Sequence, residues 1–425
     1  MEFKIFKNKN YNLHVINVKN FRSSHVEIIF RNKFDAKKAA AFSILADILT
    51  DASKDYPSSK YIMRHMEDSY ILDFYGSQTR NGKVMQTYII CNYIDPRYID
   101  EKDYLENVYK FIFGVLKKPL VNKNRFDDKL FNLAKNRLIA DLKSYGDDNN
   151  FLAIHSAMKL FAGDTPTSFH MYDMIDFIRN LTNEELYDYY QKLVEESSVD
   201  IFVTTSTEPK TINNIIKDNY HFNNIKYKEY NELIYHDNRL LPKKKSDKSK
   251  FKQSTIVMIY NVNNINMHER EFVMPYYINI LNSSDLNSKL YQRLRNENGL
   301  CYSVQTSCLD RSNIIMVRST IKAGCEAKAV RLIKKCFTDM KNKISDEEFV
   351  RAYYAFTSSL KGMVDSIGAI NRLYMNMYYA GFSSYEDKLK NYKNVTIDEI
   401  NLLANKIRLN TIYVLKGDIN ERNQD

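Results

Sequence analysis

The sequence has no tryptophan, seven prolines and eleven glycines in 425 residues, and five cysteines (Cys91, Cys301, Cys308, Cys325 and Cys336). So little proline and glycine excludes collagenous and Pro/Gly-rich low-complexity chains. An odd set of cysteines with no CxxC spacing fits reduced thiols in a cytosolic protein better than a disulfide framework or a zinc ribbon. No apolar run approaches the ~18 residues of a membrane span. The opening MEFKIFKNKNYNLHV lacks the apolar segment of a secretory signal. The eight histidines (His14, His25, His65, His155, His170, His221, His236 and His268) form neither HxxEH nor HExxH. No two imidazoles therefore stand one helical turn apart with a glutamate between them to hold zinc and its water.

What is present is globular: 44% hydrophobic and 13% aromatic residues, in a chain long enough for two or three domains. The formal charge of +10 would suit a polyanionic partner. However, the densest basic run, LPKKKSDKSKFK (Leu241 to Lys252), reads as a solvated linker, and elsewhere lysine alternates with acid. No nucleic-acid partner is predicted.

The two halves repeat one plan. Shifted by 229 residues, HVEIIF (His25 to Phe30) lies over STIVMI (Ser254 to Ile259), and SKYIMRHMEDSYILDFYG (Ser59 to Gly76) lies over SKLYQRLRNENGLCYSVQ (Ser288 to Gln305). The first pair reads as half-buried strands. The second is a helix pattern breaking into a strand. KVMQTYIICNYI (Lys83 to Ile94) and SNIIMVRSTIKA (Ser312 to Ala323) follow as partner strands. Long helical patterns come next, one opening on the Thr-Asn-Glu-Glu start signal at Thr182. VDIFVTTS (Val199 to Ser206) and NTIYVLKG (Asn410 to Gly417) then close the halves. This order predicts an α+β fold with two homologous domains, each a mostly antiparallel sheet with helices packed on one face. The predicted bounds are 1–219 for the N-terminal domain, 220–252 for a polar linker, and 253–425 for the C-terminal domain.

The stretch RLRNENGLCYS puts Arg295 seven residues before Tyr302 across a Glu-Asn-Gly turn. By themselves these residues read as a surface cation and a sheet-edge phenol. Set within a duplicated α+β chain, the Arg-x6-Tyr signature resembles the insulinase/pitrilysin family, which includes mitochondrial processing peptidase and bacterial relatives. The resemblance covers about Val15 to Gly417.

The resemblance implies a first-half zinc helix carrying HxxEH. Its place falls on ILADI, where Ile44 and Ile48 stand at the ligand positions and Asp47 at the glutamate. It also implies that Arg295 and Tyr302 act as catalytic and substrate-binding residues toward a substrate carbonyl. The chain then resembles the bacterial non-catalytic subunit of a two-chain metallopeptidase. The resemblance further implies that it is inactive alone and carries no metal or cofactor. It implies a homologous HxxEH-bearing zinc subunit as heterodimer partner, a peptide as substrate and the cytoplasm as location. The other class left open is a catalytically inert scaffold or peptide-binding protein of the same fold. Three further polar motifs, HMED at His65, NMHEREF at Asn266 and the Asp147–Asp148 pair, read as helix-end or solvated groups.

Overall fold

The computed structural model describes residues 1–237, 239–283 and 286–418, which divide into two compact units. The first unit holds residues 1–143, 171–232 and 364–376; the second holds 144–170, 233–363 and 377 onward.

In the first unit, β1 (Glu2–Lys7), β2 (Tyr11–Asn17), β3 (Ser23–Lys33), β4 (Ile71–Asn81), β5 (Val84–Ile94) and β6 (Ser198–Thr205) form a six-stranded sheet. Its order is β1-β2-β6-β3-β5-β4, antiparallel except where β2 runs parallel to β6. Helices α1 (Ala36–Asp51), α2 (Ser59–Asp68), α3 (Tyr104–Lys117) and α4 (Asp128–Ser144) belong to this unit. Asp35 starts α1 by accepting the Lys38 N–H at 2.8 Å, satisfying one of the orphan donors of the first turn. In α3, Tyr104, Val108, Phe111, Ile112 and Val115 make the buried stripe that a 3.6-residue period produces. The Thr-Asn-Glu-Glu signal is a capping box, with Thr182 and Glu185 closing reciprocal bonds ahead of the helix Asn183–Glu196.

The sheet also buries charge. Asp200 is fully buried between His14 Nε2 at 2.8 Å and the Tyr227 hydroxyl at 3.0 Å. Arg31, also buried, donates to Glu232 at 2.7 Å. Pairing of this kind is the condition under which ionised groups enter a core. Tyr227 and Glu232 come from the polar stretch expected as a linker. Its first part is thus bonded onto the first unit, with the Tyr227 N–H also donating to the Lys9 carbonyl at 3.0 Å.

In the second unit, β7 (Lys243–Lys248), β8 (Gln253–Val262), β9 (Cys301–Leu309), β10 (Ile314–Lys322) and β11 (Ile407–Lys416) form a five-stranded sheet in the order β9-β10-β8-β11-β7. The basic run that reads as solvated linker supplies β7, which pairs in parallel with β11. Hydropathy did not reveal this strand because a lysine-rich edge strand buries little.

Strand alternation sends Ile256, Met258 and Tyr260 of β8 to one face. There they meet α6 (Met274–Leu281), α7 (Glu326–Asp339), α8 (Asp346–Met363) and α9 (Ile397–Lys406) through Tyr276, Ile333, Ala352 and Leu403. Val257 and Ile259 take the other face. They pack with Ala153, Ala157, Met158 and Phe161 of α5 (Asn149–Ala162), a helix from the N-terminal half of the sequence. Reciprocally, residues 364–376 lie in the first unit, where Asn371 accepts a bond from Thr204 at 3.1 Å and the Tyr374 ring lies 4.8 Å from that of Phe3.

The duplication is visible as topology. The series β2-β6-β3-β5-β4 and β7-β11-β8-β10-β9 share one order and one pattern of parallel and antiparallel pairs. The fold is α+β, each unit built on a mostly antiparallel sheet.

Candidate functional site

On α1, the expected zinc-ligand positions hold hydrocarbon in a core. Ile44 and Ile48 are both 0% exposed, and an alkyl side chain offers no lone pair to a metal. Asp47 and Asp51 lie one turn apart on the same helix. Burial pushes the Asp47 carboxyl up, Asp51 and then Asp141 add to this, and Arg137 opposes it. Burial likewise raises Asp51 against the pull of Arg137. The helix runs close to strand β4: a Cβ on Gly76 would stand 2.1 Å from the Ala46 carbonyl oxygen, so only glycine fits. Among the described residues, no three His, Cys, Asp or Glu side chains are grouped so as to hold a metal. These residues do not fit a zinc site.

The remaining polar motifs have local partners. The His65 ring packs 4.8 Å from Tyr56 and 4.7 Å from Phe111, and burial lowers its pKa. His268 pairs with Glu399 at 2.8 Å. Asp148 starts α5 by accepting the Asn150 N–H at 2.8 Å.

Arg295 and Tyr302 are side by side. The chain after Ser288 makes a helical turn that widens over Gln292–Asn296, where the Glu297 N–H reaches the Gln292 carbonyl at 2.9 Å. Such an i→i+5 turn changes which side chains share a face. Arg293 pins it to the C-terminal end of α7 by donating to Asp339 at 2.5 Å. Burial alone would raise the Asp339 carboxyl, but its bond to Arg293 and the nearby Arg293 and Lys343 charges hold it below the usual range. Gly299, at φ +60°, ends the turn, with its N–H donating to the Arg295 carbonyl at 2.8 Å.

The chain then enters β9, the sheet's edge strand, whose pairing with β10 shifts between Cys301 and Ser303. Tyr302 is the residue left out of register, as at a β-bulge, and it is 79% exposed. The Arg295 guanidinium carbon stands 4.6 Å from the Tyr302 ring centroid and 5.1 Å from that of Tyr291. Arg295 Nη1 donates to the Tyr302 backbone carbonyl at 2.7 Å. A guanidinium carries five N–H donors and a phenol one O–H donor. The cluster thus presents a fixed positive fork and a solvent-facing hydroxyl at one strand end.

Sequence reasoning reached Arg295 and Tyr302 and missed Tyr291, Arg293 and Asp339. Tyr291 was detectable, since it lies four residues before Arg295 on a helix, within reach of its side chain. The repeat spacing also needs refinement. The left-handed residues Tyr70 and Gly299 keep the 229-residue offset. The out-of-register residues Leu72 and Tyr302 are 230 apart, so the second half has one more residue between turn and bulge.

A duplicated α+β chain of this topology, with the Arg-Tyr corner, is metallopeptidase-like in class. Residues 180–353 match the family model described as the peptidase M16 inactive domain. The chain is 21% identical over 409 residues, 95% of both chains, to the probable inactive metalloprotease YmfF of Bacillus subtilis (strain 168). Its fold is similar to that of a conserved protein from Enterococcus faecalis V583 (TM-score 0.91, 19% identity, 99% of this chain and 100% of that one). It is also similar to a peptidase M16 inactive domain from Pseudomonas fluorescens (TM-score 0.77, 14% identity, 100% of both chains). These matches support placing the chain with the insulinase-like M16 peptidase family, among the members described as inactive. Among the described residues, no helix is long and apolar enough to cross a membrane.

Proposed function

We propose that this chain is the metal-free subunit of a two-chain zinc peptidase acting on short or unfolded peptides. A homologous HxxEH-bearing subunit supplies the zinc, the water and the general base. This chain supplies Arg295 and Tyr302, which donate to the substrate carbonyl oxygen as it gains negative charge. Neither subunit alone cleaves peptide. A donor aimed at a developing oxyanion contributes about 3–4 kcal/mol, or roughly 10²–10³ in rate. The pair works in the bacterial cytoplasm, where the five unbridged cysteines stay reduced.

The observation that carries this reading is the juxtaposition of Arg295 and Tyr302, with an exposed phenol at a strand edge. The test mixes the purified chain with its HxxEH-bearing sister and follows peptide cleavage. Arg295→Ala with Tyr302→Phe should lower kcat by about 10²-fold or more; an unchanged kcat refutes the role, and zinc-dependent cleavage by this chain alone refutes the subunit assignment.

The bond from Arg295 to the carbonyl of Tyr302 favours a second reading, an inert peptide-binding scaffold, because one donor is already engaged. Peptide binding by the mixed subunits without turnover would select that reading.

A further inference from the structure

Strand β7 ends the second sheet opposite β9, and among the described residues its outer edge has no neighbouring strand. Its two faces are treated differently. Toward α5, Lys243 donates to the carbonyls of Leu160 and Phe161 at 2.6 and 3.1 Å, and Asp247 accepts the Tyr413 hydroxyl at 2.9 Å. Toward α7 the same strand is open. Lys244 and Ser246 stand beside Ile412 and Val414 of β11, and these with Val330 and Lys334 of α7 line a groove of about 320 Å³.

The floor of the groove is apolar: Val330, Ile412 and Val414. Its rim is cationic. Among the described residues, neither Lys244 nor Lys334 has a carboxylate partner, whereas Lys245 is paired with Asp247 at 3.0 Å. The one acid in the lining, Glu326, accepts at Oε1 from the Ser254 hydroxyl at 2.6 Å and the Gly324 N–H at 3.0 Å. Its one negative charge, set against Lys244 and Lys334, leaves the lining net positive.

We propose that this groove binds an extended acidic peptide segment, which adds as a strand to the free edge of β7, places an apolar side chain on Val330, Ile412 and Val414, and sets its carboxylates against Lys244 and Lys334. An unpaired edge offers main-chain donors and acceptors at strand spacing, and side-chain pockets beside it give selectivity. Charge complementarity sets the sign of the partner. A nucleic-acid backbone would match the lysines but leave the apolar floor and the strand edge unused. This site is separate from Arg295 and Tyr302, which lie at the opposite edge of the sheet.

The test is fluorescence anisotropy on the full chain. The probes are a labelled six-residue peptide alternating Asp or Glu with Val or Leu, a counterpart with every acid changed to Lys, and a short oligouridylate as competitor. The acidic peptide should bind and the lysine peptide should not. Lys244→Glu with Lys334→Glu should weaken binding about tenfold, on the scale of two exposed ion pairs reversed in sign. Lys60→Glu with Lys102→Glu, which changes net charge equally at exposed positions of the first unit, should weaken it no more than about twofold, the long-range part being screened. Circular dichroism of both double variants checks that they fold. The proposal is overturned if the acidic peptide fails to bind at millimolar concentration, if both double variants weaken it equally, or if the oligouridylate displaces it at equal concentration.

Discussion

Arg293 and Asp339 form a 2.5 Å ion pair that ties the widened turn bearing Arg295 to the C-terminal end of α7. The pair is largely shielded, with side-chain exposures of 23% and 9%. It acts on the Arg-Tyr corner through position alone.

Removing Arg293 leaves the Asp339 carboxylate partly uncompensated. Arg293→Ala should cost about 1.5–3 kcal/mol, the range for a hydrogen bond to a charged group. The effect should depend on pH. The Asp339 pKa is lowered in the folded chain, so its contribution is present above the ordinary aspartate range and fades as pH falls through the folded value. Thermal unfolding from pH 7 down to pH 3 should show the gap between wild type and Arg293→Ala narrowing.

Asp47 should behave in the opposite way. Its folded pKa is raised, first by burial and then by Asp51. Its contribution to stability is therefore full below the unfolded pKa and is lost as pH rises through the folded one. Asp47→Asn should raise the Tm at pH 7, and the gain should vanish as pH falls below the ordinary carboxylate range. A Tm difference independent of pH would show that charge is not the cause.

Gly76→Ala should be strongly destabilising. The new methyl would meet the Ala46 carbonyl at 2.1 Å, so α1 and β4 must move apart. Overpacking of this kind costs about 1–3 kcal/mol. Chemical denaturation should show a lower midpoint, and Gly76→Ser should be no better.

Tyr302 should be nearly dispensable for folding. Its ring is exposed and meets the Arg295 guanidinium. Tyr302→Phe keeps that contact and should leave stability within about 0.5 kcal/mol. Tyr302→Ala should cost no more than about 1 kcal/mol, the scale of an exposed cation–π contact. If the proposed pairing with a zinc-bearing subunit holds, any larger loss of activity in the mixture belongs to the hydroxyl and ring as functional groups.

Much of this was legible before the coordinates. The repeated elements from His25 and from Ser254 announced two like domains, because strand and helix periods survive when identities are lost. The Arg-x6-Tyr spacing singled out Arg295 and Tyr302. The Thr182 capping box was readable from four residues, since capping is local. The strand at Lys243–Lys248 was not readable: its side chains are polar, and only pairing with β11 makes it a strand. The bonding of Tyr227 and Glu232 onto the first unit was hidden for the same reason.

By itself, the sequence determined the α+β plan, the run of apolar side chains around Ile44 and Ile48, and the presence of an arginine and a tyrosine at a strand entry. These depend on residue type and on short-range period. Only the tertiary structure decided that α5 covers the second sheet while residues 364–376 join the first unit. It alone placed Arg295 against both Tyr291 and Tyr302 and, among the described residues, left one edge of β7 open. Such features arise between segments far apart in the chain, where no local pattern records which surfaces will meet.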